Sequence, residues 1–291
     1  MGYKIFSPHF IVVLISILLI GCVQSEPISF DGNNALNYIE KQIEFGPRIP
    51  GSDGSNAVEE LIKSELELTG WVVESQNFIF DHVNLTNIIA KSSNNPPEII
   101  IGTHYDTRAF SDNEASLSLK KIPVPGANDG ASGTAVLLEL GRILSREEHD
   151  IWFVFFDAED QGNLGNWEWS IGAQYFANQL DSSPEFVIII DMIGDEKLEI
   201  YKENNSTISL VESIWLEAEK LGYESYFNQE YKFSIIDDHL PFINKGIPAC
   251  LIIDLDYPYW HTTEDTLDKV SDNSLEIVGN VLISWLSTHA R

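Results

Sequence analysis

Four runs of apolar, largely β-branched or aromatic residues end abruptly in side chains that bind metal: EIIIGTHYD (98–106), IWFVFFDAED (151–160), FVIIIDMIGD (186–195) and ACLIIDLDYPYWH (249–261). A continuous apolar run of this length reads as a strand buried on both faces of a sheet, because a half-buried strand alternates apolar with polar residues. Stretches with apolar residues at helical spacing separate several of the runs, at 131–144, 172–180, 206–221 and 273–286. Alternating strand and helix predicts an α/β fold, one domain with a mostly parallel central sheet flanked by helices. Upstream, the spacing predicts helices over 35–45 and 55–68, joined by the Gly/Pro loop FGPRIPGSDGS, and strands at WVVESQNFIF and LTNIIAKS. Ligands of such sheets bind beyond the carboxyl ends of the strands. His104, Asp106, Glu159, Asp160, Asp191 and His261 all fall there.

These residue types suit zinc, which takes imidazole nitrogen and carboxylate oxygen and needs about three protein ligands plus an open position for catalysis. His104 and Asp106, two apart at a strand end, lie on one side of it, so that Asp106 could orient an imidazole. A His-x-Asp alone reads more readily as a structural histidine. In GANDGASG, Asp129 stands before a helix, where it could serve as an N-cap or as a metal ligand. The pair Glu159-Asp160 is sharper: two adjacent acids after a buried strand are costly unless a cation offsets their charge. Adjacent side chains point different ways, which suits one ligand and one general base.

The amino terminus has the pattern of a signal peptide over residues 1–25: Lys4, the apolar run IVVLISILLI, and a lipobox-like step ending at Cys22. The run is shorter than the ~20 residues of a spanning helix. The expectation is a chain anchored by lipid on Cys22 and held outside the cytoplasm, periplasmic or on the cell surface, with a catalytic domain over 26–291. Lipid on one of two cysteines would leave Cys250 without a disulfide partner. A formal charge of −28 excludes nucleic acid as a partner, since phosphate binding needs clustered Lys and Arg.

Taken in order, HYD, GANDGASG, FFDAED, DMIG, DDHLPF…GIP and WHT resemble the M28 zinc metallopeptidase family over nearly the whole mature chain. The resemblance implies a mixed, largely parallel sheet between helical layers. It implies Asp129, Asp160 and His261 as zinc ligands, Glu159 as general base and acid, and His104 and Asp191 as holders of a second zinc in the two-metal peptidases. Trp260 before His261, and Asp237 in IIDDHLPF, are similar to the glutaminyl cyclase branch, in which Asp191 and Asp237 share a hydrogen-bonded chain with the base. That branch implies one zinc, peptide amino termini as substrate, and conversion of an N-terminal Gln to pyroglutamate with release of ammonia. Trp260 would wall the pocket, with Trp167 a further candidate from the 161–170 loop, where Trp169 has an equal claim and plain packing is as good a reading for either. The alternative is a di-zinc aminopeptidase, since every group for a second metal is retained. An inactive binding ectodomain is the third reading, but such a chain would be expected to lack ligands, and none is missing. The animal cyclases carry Glu-Glu where this chain has Glu159-Asp160, a shorter ligand side chain. A monomer is expected.

Overall fold

The computed structural model describes residues 1–3, 29–144 and 150–290. The lipobox-like step at Cys22 lies outside the described residues. No helix within them is long and apolar enough to cross a membrane.

Strands β1 (Val72–Phe80), β2 (Val83–Lys91), β3 (Ile99–His104), β4 (Ile151–Phe156), β5 (Phe186–Asp191) and β8 (Ala249–Ile253) form a six-stranded sheet in the order β1-β2-β4-β3-β5-β8. The pairs β4/β3, β3/β5 and β5/β8 are parallel, and β1/β2 and β2/β4 antiparallel, so the sheet is mixed and mostly parallel. The four apolar runs are the four parallel strands, adjacent at the centre and one edge of the sheet.

Their unbroken hydrophobicity follows from burial on both faces. Successive residues alternate sides: Ile99, Ile101, Phe153, Phe155, Ile188 and Ile190 enter one core, and Ile100, Val154, Phe156, Val187 and Ile189 the other. The first core is covered by α1 (Gly32–Glu44), α2 (Asp53–Leu68), α3 (Ala131–Ile143), α5 (Ile208–Lys220) and α7 (Asp272–His289). The second is covered by α4 (Ile171–Gln179) and the short α6 (Leu240–Asn244). Cys250 is free and buried in the first core. Close approach is built in at Gly133 of α3, where a Cβ would lie 2.1 Å from Thr103 Oγ1 and 2.9 Å from the Ile190 carbonyl. That glycine lets α3 press onto β3 and β5 and fixes the loop before it against the strand ends.

Helix boundaries depart from the periodicity by a few residues where caps intervene. α1 starts at Gly32 because the Asp31 carboxylate accepts from Asn34 N at 3.1 Å. A separate two-stranded parallel sheet, β6 (Ile200–Glu203) with β7 (Phe227–Phe233), and helix α6 were not foreseen. Both strands are short or largely exposed and lack a continuous apolar pattern.

Candidate active site

Three acidic or mixed clusters meet beyond the carboxyl ends of β3, β4 and β5. Asp129, Asp160 and His261 form one, His104, Asp129 and Asp191 a second, and Glu159, Asp237 and Asp238 a third. Within each, the potential ligand atoms lie within 4.8 Å of one another, and every residue is buried.

Asp129 is not the N-cap of α3. Gly130 occupies that position with φ of 87° and makes no side-chain cap, so the Asp129 carboxylate is turned into the site. Its backbone is held elsewhere: Asp265 accepts from the N–H groups of Asn128 and Asp129 at 2.9 and 3.2 Å. Asp106 has a similar role for the neighbouring loop. It accepts from the N–H groups of Glu159 and Asp160 at 2.9 and 3.2 Å and from Gln161 Nε2 at 3.0 Å. Its contact with His104 Nδ1 is a longer 3.4 Å and not a hydrogen bond. Asp106 therefore orients the Glu159-Asp160 turn through the backbone more than it orients the imidazole. The turn then sends the two acids apart, Asp160 toward His261 and Glu159 toward Asp237 and Asp238.

His261 Nε2 lies 2.9 Å from Asp160 Oδ1 and 3.8 Å from Asp129 Oδ2, while Nδ1 lies 3.1 Å from Asp112 Oδ1. Asp112, which the sequence did not single out, thus holds the far side of the ring, as carboxylates commonly do for metal-binding histidines. Arg108 anchors Asp112 at 2.6 Å. Asp129 is shared with the second cluster, where His104 Nε2 is 3.2 Å from its Oδ1 and 3.0 Å from Asp191 Oδ1. Backbone strain collects here: Ala158, Ser170, Met192 and His261 all have positive φ. Each flanks or supplies a site group, the placement expected where a fold over-determines a functional geometry.

The electrostatics call for a cation. Burial, then the charge of Asp129, pushes the Asp160 carboxyl up to about 7. Asp129 Oδ2 and Asp160 Oδ2 are buried without a hydrogen-bond partner. Buried carboxylate oxygens seldom stay unpaired, and two carboxylates with an imidazole are a donor set that fits zinc. Glu159 is in a different state. Burial first, then Asp237 and Asp238, raises its carboxyl well above the usual range, and Ser170 Oγ donates to it at 3.1 Å. A carboxyl held above its ordinary range in this way is suited to accept and return a proton.

The clusters open into a pocket of ≈ 280 Å³ whose apolar walls include Trp169, Trp260 and Ile236. Trp260 lines this pocket, its ring centroid 4.1 Å from that of His261. Trp167 does not reach this pocket. It packs edge-on against Phe80 at 5.1 Å and lines a separate cavity with Leu164 and Phe110. The wall is Trp169 instead, stacked at 6.0 Å on His261, with the Arg108 guanidinium 5.0 Å from its ring. The bare face of Gly162 seats it, since a Cβ there would lie 2.0 Å from Trp169 Cδ2.

Two further supports were missed in the sequence. Glu203 of β6 accepts from Ile235 N at 3.0 Å and sits 3.2 Å from His239 Nε2, tying the small sheet to the segment that carries Asp237. Arg48 is fully buried and donates to the carbonyls of Tyr105, Pro125, Gly126 and Asp129 at 3.0, 2.9, 2.6 and 3.3 Å. It clamps the loop after β3 to the loop before α3. Arg48→Met is expected to lower unfolding free energy by about 3 kcal/mol or more, because it orphans several buried carbonyls at once. Urea denaturation would show it, and a change below about 0.5 kcal/mol would deny Arg48 this part.

The chain and its fold resemble known proteins. Residues 87–286 match the family model described as Peptidase family M28. The crystal structure of Porphyromonas gingivalis glutaminyl cyclase superposes with a TM-score of 0.85 at 30% identity, covering 90% of this chain and 99% of that one. A leucine aminopeptidase precursor from Bacteroides thetaiotaomicron superposes with a TM-score of 0.82 at 32% identity, covering 88% and 96%. Among curated relatives, the glutaminyl-peptide cyclotransferase of Boiga irregularis is 26% identical, covering 81% of this chain and 75% of its own. With a family match across most of its length, this chain belongs to peptidase family M28.

Proposed function

We propose that this protein is a zinc-dependent glutaminyl cyclase, which converts the N-terminal Gln of peptides to pyroglutamate and releases ammonia. One observation carries the reading most: a small pocket walled by Trp260 and Trp169 places Glu159 beside the Asp129, Asp160 and His261 cluster. A pocket of ≈ 280 Å³ suits a glutamine side chain folded back on its own amine. Relatives described as glutaminyl cyclases, from bacteria and from vertebrates, support it.

Asp129, Asp160 and His261 would hold the zinc, which when bound supplies Lewis-acid polarisation of the substrate's γ-carbonyl. The indole walls exclude water and keep the side chain curled, so that the amine attacks an adjacent carbonyl at high effective concentration. Glu159 accepts the proton of the α-amine and returns it to the departing amide nitrogen. One C–N bond forms, one breaks, and the proton leaves in ammonia. Asp237 and Asp238 keep Glu159 basic by their proximity, and Asp191 pairs with His104 beside them.

A second reading has its own support: His104, Asp129 and Asp191 form a set that could take a second metal, as a di-zinc aminopeptidase would require. The two readings separate on products. Purified protein is expected to release ammonia from a Gln-peptide in step with pyroglutamate, followed by mass spectrometry, and to leave the peptide bonds intact. Release of free amino acids from unblocked peptides, with two zincs per chain and no pyroglutamate, would replace the cyclase by the aminopeptidase.

A further inference from the structure

Beside the acidic pocket runs a second groove of ≈ 410 Å³, and the two share Trp169, Ile236 and Asp237 as common walls. Its floor and sides come from α4 and α6, the helices that cover the second core, with Asn178 and Asn244 exposed along it. Ile236 stands 65% exposed at the shared rim, an apolar ridge between the two spaces. Lys245 is the one cation among the residues lining either space, in a chain with 17 basic and 45 acidic residues. Its ammonium donates to the Ala177 carbonyl, which fixes its position at the C-terminal part of α4. Two of its three N–H groups remain for a ligand.

The acidic pocket is a small space of ≈ 280 Å³, so the rest of a longer peptide must leave it across a rim. The groove that continues from Trp169 and Ile236 offers what an extended chain needs. Carboxamides at Asn178 and Asn244 can each donate to and accept from a peptide backbone, Ile236 offers apolar contact, and Lys245 offers a charge. We propose that this groove receives the residues that follow the substrate's N-terminal residue, and that Lys245 selects an acidic side chain among them. The inference rests on the reading of the site as one that acts on peptide amino termini. It adds a substrate class: acidic near the start, in spite of the strongly acidic chain that must bind it.

The test uses C-terminally amidated pentapeptides, Gln followed by four Ala, with a single Glu moved through positions 2 to 5, beside Gln-amide as a substrate with no downstream chain. One position of Glu is expected to lower KM by about two- to fivefold at low salt, the worth of an exposed ion pair. The gain should fade at about 0.5 M salt. In Lys245→Glu the preference should invert toward a Lys at the same position, in Lys245→Arg it should persist, and turnover of Gln-amide should be unchanged in both. Equal KM at all positions, or a preference that survives Lys245→Glu, overturns the proposal. If no pyroglutamate forms even from Gln-amide, the cyclase reading fails by itself. Release of the free N-terminal residue, or dissociation constants of the same peptides from calorimetry, then decides the groove by the same ordering.

Discussion

Replacing Glu159 by Gln is expected to lower turnover of Gln-peptides by about 10²- to 10⁴-fold, the usual worth of a general acid–base group, while zinc content stays that of the parent protein. The amide keeps the size of the side chain and can still accept from Ser170 Oγ, so the pocket keeps its shape. What it loses is the ability to take a proton from the α-amine and give it back. Stability gives an independent control on this reading. Burial and the charges of Asp237 and Asp238 raise the Glu159 carboxyl well above its ordinary range, so the folded state disfavours its ionised form. A carboxyl with a raised folded pKa costs stability above its unfolded pKa, and a neutral amide removes that cost. The Glu159→Gln protein should therefore melt no lower than the parent at neutral pH. A turnover loss under tenfold with zinc retained would put the base elsewhere, with Asp237 the next residue to test.

The part of the site legible in the sequence was the part carried by strand ends. Ile99 to His104 and Ile151 to Phe156 are apolar on both faces, so their limits are sharp, and the first polar residue after each marks the rim of the sheet. Register then brings His104 opposite Phe156, and the acids that follow converge without further information. Loops lack that determinism. NWEWS offers two indoles with equal claim to the pocket, and the choice falls to Trp169 because Gly162 and Arg108 lie where it must pack. Trp167 is held back by hydrogen bonds to Leu164 and Asn163 within the loop and by its contact with Phe80. Asp129 illustrates a local rule set aside. An acid before a helix reads as a cap, yet Gly130 in a left-handed conformation takes the cap position and releases the carboxylate. Arg48, Asp112 and Glu203 were invisible for another reason. Each acts on residues tens of positions away or more, in segments with no period to read.

Replacing His261 by Ala is expected to remove zinc and activity together. Of the three candidate ligands, His261 is the one nitrogen donor, and its removal leaves Asp129 and Asp160 as two buried carboxylates with no imidazole between them. Asp112 also loses the ring it holds at 3.1 Å, while Asn113 still ties the loop to the 108–113 segment by donating its backbone N–H to the residue-261 carbonyl at 3.1 Å. Affinity can be read without turnover. A ligand that binds only the folded state adds about 2.7 kcal/mol of stability at a hundredfold excess over Kd, so added zinc should raise the melting temperature of the metal-stripped parent by several degrees and that of His261→Ala scarcely at all. His104→Ala supplies the contrast. If one zinc suffices, that variant should keep its metal and its thermal response to zinc, because His104 meets the first cluster only at Asp129 Oδ1, while the other oxygen of Asp129 faces His261. If His261→Ala still binds zinc with parental affinity and His104→Ala does not, the metal belongs with His104, Asp129 and Asp191. If each variant loses one of two bound ions, the site holds a metal pair sharing Asp129, and the aminopeptidase chemistry gains the stronger claim.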